Sequence, residues 1–287
     1  MAACSGNPLN NGDDGDGDGD GDGGGSDVPD SVAGRLVSAT YEPGADTILV
    51  NIRSQDDPSV EAVYTRDARY DVEDYFGYTS QETTSNRITV ALVKQVGNTK
   101  AAVALNGQFA EYYAGGTFSR EGLFNLPTSG VGNSANYSGT YTGLLNAGPT
   151  VSGPGGDLDP IQPRQTTGRA LITADFAKME LSGGIDQRRV TGTDGDAGAL
   201  PTALLRTTDI STDGRFEGIV TVRDDEDGSL QDAGDYAGLF GGANAREIAA
   251  LLVFNPIPTN QALFEHGLLV LPSCATGGGP ACPVASP

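Results

Sequence analysis

The chain has 287 residues and a formal charge of −21, from 38 acidic against 17 basic residues. That excess of carboxylates argues against nucleic acid or a polybasic grip on anionic lipid, both of which need a basic face. A single His, no Trp and no apolar run approaching the ~18 residues of a membrane helix exclude a His-rich metal centre and a helical span.

Residues 1–30 hold eight Asp and no Lys, Arg or Glu. The stretch from Gly12 to Gly25 is almost pure Gly and Asp, a composition that repels itself and cannot build a core. It reads as a solvated tether. Asp16, Asp18, Asp20, Gly21 and Asp22 also match the opening of a calcium loop, but Asp27 stands where a bidentate Glu is needed and flanking helices are missing. Just before the tether, Met1-Ala2-Ala3-Cys4-Ser5-Gly6 looks like the lipobox of a bacterial lipoprotein, with Met1 in place of the usual Leu. The apolar segment that precedes a lipobox is not in the sequence, which is read as a trimmed or late start. Cys4 is therefore the expected lipidation site, and Ser5 after it favours the outer membrane.

From residue 34 the pattern is strand after strand. Leu36–Tyr41 and Thr47–Ile52 flank a Pro43-Gly44 turn, and Ile88–Val93 and Ala101–Leu105 flank a Gly97-Asn98 turn. Phe109–Phe118 reads as a further strand. Among them lies an acidic, aromatic run in which Tyr70, Tyr75, Phe76 and Tyr78 are candidates for an exposed recognition patch, or for rings that cover the edge of a small sheet. Residues 126–136 are Gly, Ser, Asn and Pro-rich. Eight candidate strands follow: Tyr137–Leu145, Arg169–Asp175, Lys178–Ser182, Ala203–Ile210, Arg215–Val222, Asp235–Phe240, Ile248–Phe254 and Ala262–Leu271. Eight antiparallel strands of this length suit a small closed barrel, in which no edge is left exposed. One helical turn is expected, capped by Asn244 with Glu247 completing a capping box, and with Ala245, Ile248 and Ala249 facing the barrel end. Cys274 and Cys282 flank a flexible loop; a disulfide suits an exported protein, and two free thiols are the alternative. The fold class is thus all-β. The expected organisation is a tether (1–30), a handle-like β region (31–128), an eight-stranded barrel (129–273) and a Cys-containing tail (274–287).

Two motifs carry a resemblance. Tyr137-Ser138-Gly139-Thr140-Tyr141-Thr142-Gly143 resembles the opening barrel strand of transferrin-binding protein B-like surface lipoproteins. The run from Phe240 through Gly242, Asn244, Ala245, Glu247 and Ile248 is similar to their aromatic-x-Gly-Pro-x-Ala-x-Glu-aliphatic-Gly-Gly signature, with Ala243 for the Pro and Ala249-Ala250 for Gly-Gly. The resemblance implies an eight-stranded barrel beside a handle sheet, and a surface module that binds a protein or nutrient carrier of iron or haem. It carries over no ligand-binding residue.

No G-x-S-x-G elbow, P-loop or H-E-x-x-H occurs, and no enzyme is expected. Asp224-Asp225-Glu226-Asp227 ends in Gly228 and reads as a solvated hairpin tip. His266, beside Glu265, is the only imidazole that an axial haem site could use. The sequence implies no cofactor and no nucleic-acid partner. Contact with the membrane is expected only through the lipid, and the chain is expected to be a monomer. The competing expectations are a small-ligand carrier that uses a hollow barrel, in the manner of lipocalins, and a structural envelope lipoprotein.

Overall fold

The computed structural model describes residues 28–42, 46–52, 60–81, 88–106, 114–127, 133–147, 163–191, 198–223, 228–254, 263–276 and 282. Cys4, the Gly/Asp run, Phe109 and the Asp224–Asp227 run lie outside them.

After a single turn of helix, Asp30–Ala33, seven strands form a meander. They are β1 (Leu36–Glu42), β2 (Thr47–Ile52), β3 (Val60–Arg66), β4 (Phe76–Gln81), β5 (Ile88–Val96), β6 (Thr99–Asn106) and β7 (Ala114–Arg120). Each pairs antiparallel with the next. The second sheet holds β8 (Ser134–Ala147), β9 (Arg164–Asp175), β10 (Glu180–Thr191), the two-residue β11 (Gly198–Ala199), β12 (Ala203–Asp209), β13 (Arg215–Arg223), β14 (Leu230–Gly241), β15 (Glu247–Phe254) and β16 (Leu263–Pro272). Here β9 pairs β10 and β16 pairs β8, so eight of these strands close into an antiparallel barrel and β11 only extends the edge of β10. The all-β reading, with a barrel and a preceding sheet, is the architecture observed.

Side chains alternate between two cores, as the period of two requires. Ile248, Ala250, Leu252 and Phe254 of β15 enter the barrel bore with Tyr137, Tyr141, Phe216, Tyr236, Phe240 and Leu269. Ala249, Leu251 and Val253 of the same strand point out and pack on Val90, Leu92, Val103 and Leu105 of β5 and β6. Every residue of β15 is therefore buried. A third, smaller cluster fills the inner face of the meander with Leu36, Ile48, Val50, Tyr64, Tyr78, Ala91 and Ala104.

The expected capped helical turn is not formed. Ala243–Ala245 is a tight three-residue turn in which Asn244 and Ala245 have φ of +57° and +49°. These left-handed residues reverse the chain at once, so that Gly241 pairs with Glu247 and β15 has already begun. Glu247 makes no capping box, and Ala249 faces the meander rather than the barrel end.

Candidate functional site

The two motifs meet where the meander sits on the barrel. Phe240 lies in the bore, with ring centroids 5.4 Å from Tyr137, 5.2 Å from Phe176 and 5.3 Å from Phe216. The Tyr137 hydroxyl donates to the Ala245 carbonyl, which ties the opening strand to the turn. Asn244 exchanges hydrogen bonds with Asn125: Asn125 Nδ2 donates to Asn244 Oδ1 at 3.0 Å, and the Asn244 amide donates to Asn125 Oδ1 at 3.3 Å. Arg120 donates to the Phe240 carbonyl at 2.8 Å while stacking on Phe124.

Glu247 turns outward. Its carboxylate accepts from the Asn98 amide at 3.1 Å and the Thr99 hydroxyl at 2.8 Å, at the tip of the β5–β6 hairpin, and from Arg246 Nε at 3.2 Å. Gly97 makes this approach possible, because its φ is +55° and a Cβ there would stand 2.0 Å from Glu247 Oε1. Glu247→Ala leaves a buried hydroxyl and a half-buried amide without their acceptor. It should destabilise the protein by about 2 kcal/mol in urea melts, and an unchanged midpoint would remove Glu247 from this role.

Inside the barrel, Glu265 and Arg188 form an ion pair at 2.6 Å with neither side chain exposed. Tyr141 and Thr166 each donate to Glu265 Oε1 at 2.6 Å. Arg188 also donates to the Pro201 carbonyl at 2.9 Å and lies 4.2 Å from the Phe254 ring centroid. Burial, then the charge of Glu265, hold the Tyr141 hydroxyl well above the usual phenol range, so it stays a donor. Gly139, Gly143 and Gly267 let large side chains cross the bore: a Cβ at Gly267 would meet the Tyr141 hydroxyl at 1.9 Å.

Of the two readings of the aromatic run, an exposed patch or rings covering a sheet, the exposed patch does not fit the burial of its rings. Tyr75 and Tyr78 are buried, Tyr70 is half-buried, and only Phe76 is exposed. Tyr75 is a linchpin of the seam: its hydroxyl donates to the Thr140 carbonyl at 2.6 Å and accepts the Val270 amide at 3.2 Å. Lys94 stands 4.3 Å over the Tyr75 ring and pairs with Asp74 at 2.9 Å, while burial lowers the pKa of its ammonium. The Tyr70 carbonyl accepts from Gln165 of the barrel. Tyr78 donates to Asp46 at 3.2 Å inside the meander, and Arg66 lies over Phe76 and Tyr78 at 5.0 and 5.5 Å. Tyr70 and Tyr75 are drawn in at the seam between meander and barrel, and Tyr78 into the meander's own inner cluster.

His266 is not placed as a haem ligand would be. It is buried on the outer side of β16, paired in register with Val253 and Leu144, where barrel and meander are sealed together. Burial alone lowers its pKa to about 4. At the C-terminal end, Cys274 and Cys282 are joined by a disulfide.

Sequence reasoning missed Arg188, Thr166 and Lys94. For Arg188 and Thr166 the available signal was Glu265, a carboxylate in an otherwise apolar strand, which demands buried partners.

Open surface space lies outside the bore. One groove of about 590 Å³ is lined by Pro29, Phe118, Asp209, Asp213, Arg215 and Glu217. Another, of about 580 Å³, lies between Glu73-Asp74 and barrel residues Thr140, Arg169 and Arg189.

No family model and no curated protein matches the chain. Solved structures do. A double-mutant transferrin binding protein B from Haemophilus parasuis Hp5 is 12% identical, with a TM-score of 0.43 over 80% of this chain and 40% of that one. A surface lipoprotein is 14% identical, with a TM-score of 0.38 over 86% of this chain and 100% of that one. The isotype 1 transferrin binding protein B of serogroup B Neisseria meningitidis is 15% identical, with a TM-score of 0.32 over 78% and 39%. This chain thus spans about two fifths of the length of these two transferrin binding protein B structures. These are proteins of the kind that the Tyr137 and Phe240 motifs resemble.

Proposed function

We propose that this chain is a non-enzymatic binding module. In this reading, acyl chains on Cys4 hold it to the outer membrane, the Gly/Asp run spaces it from the bilayer, and its partner is a protein or a carrier of iron or haem. The observation that carries the reading is the filled bore. Tyr137, Tyr141, Phe216, Tyr236, Phe240 and Phe254 occupy it, all buried, together with the buried Arg188–Glu265 pair. A lipocalin-like carrier needs that space for its ligand. What this chain offers instead is outer surface: grooves, loops and the meander.

The test uses the soluble protein immobilised and exposed in turn to transferrin, haemoglobin, free haem and the lipophilic dye 1-N-phenylnaphthylamine. Saturable binding of a macromolecule without dye uptake is expected. Tight dye uptake with no macromolecule bound would replace this reading with the carrier one. For the anchor, the full-length precursor is grown in bacteria with radioactive palmitate. The parent should take label and Cys4→Ser should not; equal label in both ends the lipid-anchor proposal.

A further inference from the structure

The outer wall of the barrel is reshaped at one place. Asp186 of β10 pairs with Arg169 and Arg189 pairs with Thr167, so Gln187 and Arg188 together face Gly168 of β9. This bulge holds Gln187 at a left-handed φ of +51°. It sends Arg188 into the bore to Glu265 and leaves Gln187 and Arg189 exposed on the outer wall. Across from them, in the turn before Tyr75, Glu73 is left-handed too, with φ of +52°. Glu73 and Gln187 line the same groove, the one of about 580 Å³ between meander and barrel. Left-handed conformations are costly outside glycine and collect at ligand sites. The volume falls within the ~300–1,000 Å³ of small-molecule sites.

The charges of this groove cancel. Lys94, Arg169 and Arg189 are set against Glu73, Asp74 and Asp186. Lys94 pairs with Asp74 at 2.9 Å and Arg169 with Asp186 at 2.5 Å, so an ionic ligand would have to displace an existing partner. What remains is a mixture of donors and acceptors. Arg169 uses Nε and Nη2 on Asp186, which leaves Nη1. Glu73 accepts from the Thr140 hydroxyl through Oε2, which leaves Oε1. The Gln187 amide and the Thr167 hydroxyl bond to no described residue. Deepest in the lining is Ser138, which alternates outward with Thr140 on β8 and is 1% exposed. Its Oγ has no hydrogen-bond partner among the described residues, and a buried hydroxyl in that state is costly unless a ligand completes it. Val72 and Pro272 add apolar surface beside these groups.

We propose that this groove binds a short neutral saccharide. Each sugar hydroxyl is donor and acceptor at once, which suits a groove that offers both kinds of group and no net charge. The C–H face of a sugar ring lies on Val72 and Pro272, while Ser138 and Gln187 hold its hydroxyls. This goes beyond the binding-module reading, whose macromolecular partner and lipid anchor are untouched by its failure.

The experiment is saturation-transfer NMR on the full chain with maltotriose, cellotriose, mannotriose and triacetylchitotriose, and with a sulfated heparin disaccharide as the charged comparator. At least one neutral sugar should saturate with a Kd of about 1 mM or tighter, and its affinity should hold as salt rises. Ser138→Ala and Gln187→Gly should each weaken that sugar by about fivefold or more. Both variants should melt close to the parent, since the first removes an orphan hydroxyl and the second puts glycine at a left-handed position. No saturation by any of these neutral sugars up to about 10 mM overturns the proposal. Unchanged affinity in both variants also overturns it, as does tighter, salt-sensitive binding of the heparin disaccharide, which would make the groove an anion site. The same sugar linked to beads through its reducing end separates two sources. Capture of the protein assigns the end of a longer glycan, binding of the free form alone assigns a free sugar, and each supports the site.

Discussion

Arg188→Met should cost the protein about 3–5 kcal/mol of stability, the range for breaking a buried ion pair by removing one partner. The reason is what is left behind. Glu265 has no exposed surface, and without the guanidinium its charge would rest on two hydroxyls, from Tyr141 and Thr166, in a bore otherwise lined by rings and aliphatic chains. Arg188→Met combined with Glu265→Gln removes both charges and keeps an amide oxygen for those hydroxyls. It should recover most of the loss, because paired burial of charge is seldom better than an apolar replacement of similar volume. Arg169→Met breaks the pair with Asp186 on the open barrel surface and should change little. Urea melts of the four proteins decide the matter: single and double variants with the same midpoint would mean that the pair is not the strut described here.

Acidification should weaken the protein through His266. The imidazole is neutral in the fold, since burial has moved its pKa from 6.5 to about 4. In the unfolded chain it takes a proton as the pH falls below 6.5. The folded chain does not follow until about pH 4. The contribution is therefore complete above pH 6.5 and is lost progressively down to about pH 4, a difference worth about 3 kcal/mol. Carboxylates titrate over the lower part of the same range, so the comparison is with His266→Leu, which shares them. The parent should lose stability more steeply than the variant between neutral pH and about pH 4, and parallel curves would show that His266 is solvated in the fold.

Much of this architecture was legible in the sequence. All eight barrel strands lie where the sequence places them. Their ends were read short at glycines: Gly168 hid the start of β9, Gly183-Gly184 hid the second half of β10, and Gly234 hid the start of β14. Glycine ordinarily weakens a strand, but here it marks a bulge or a close crossing, and a single sequence does not separate the two. β3 was not read at all, since Glu61 on its exposed face and the half-buried Arg66 at its end interrupt the apolar pattern. The site was less legible than the fold. Tyr75 looks like a surface ring because Glu73 and Asp74 precede it, yet its hydroxyl is needed 65 residues downstream, at Thr140. Glu247 looks like a helix cap because of its spacing from Asn244, yet two of its partners, Asn98 and Thr99, stand some 150 residues away in sequence. A polar residue in an apolar strand, as at Glu265, signals that a distant partner exists but not which residue it is.

The doubly buried β15 strand makes the two halves of the molecule poor candidates for separate lives. Cut between β7 and β8, the first half would show water Val90, Leu92, Val103 and Leu105, and the second would show Ala249, Leu251, Val253, Leu268 and Val270. Those are two matching greasy stripes, each more prone to clump than to stay in solution. A shared wall also restricts sequence drift. Alternate positions of one eight-residue segment answer to different cores, so a one-residue insertion there would turn every side chain toward the wrong room.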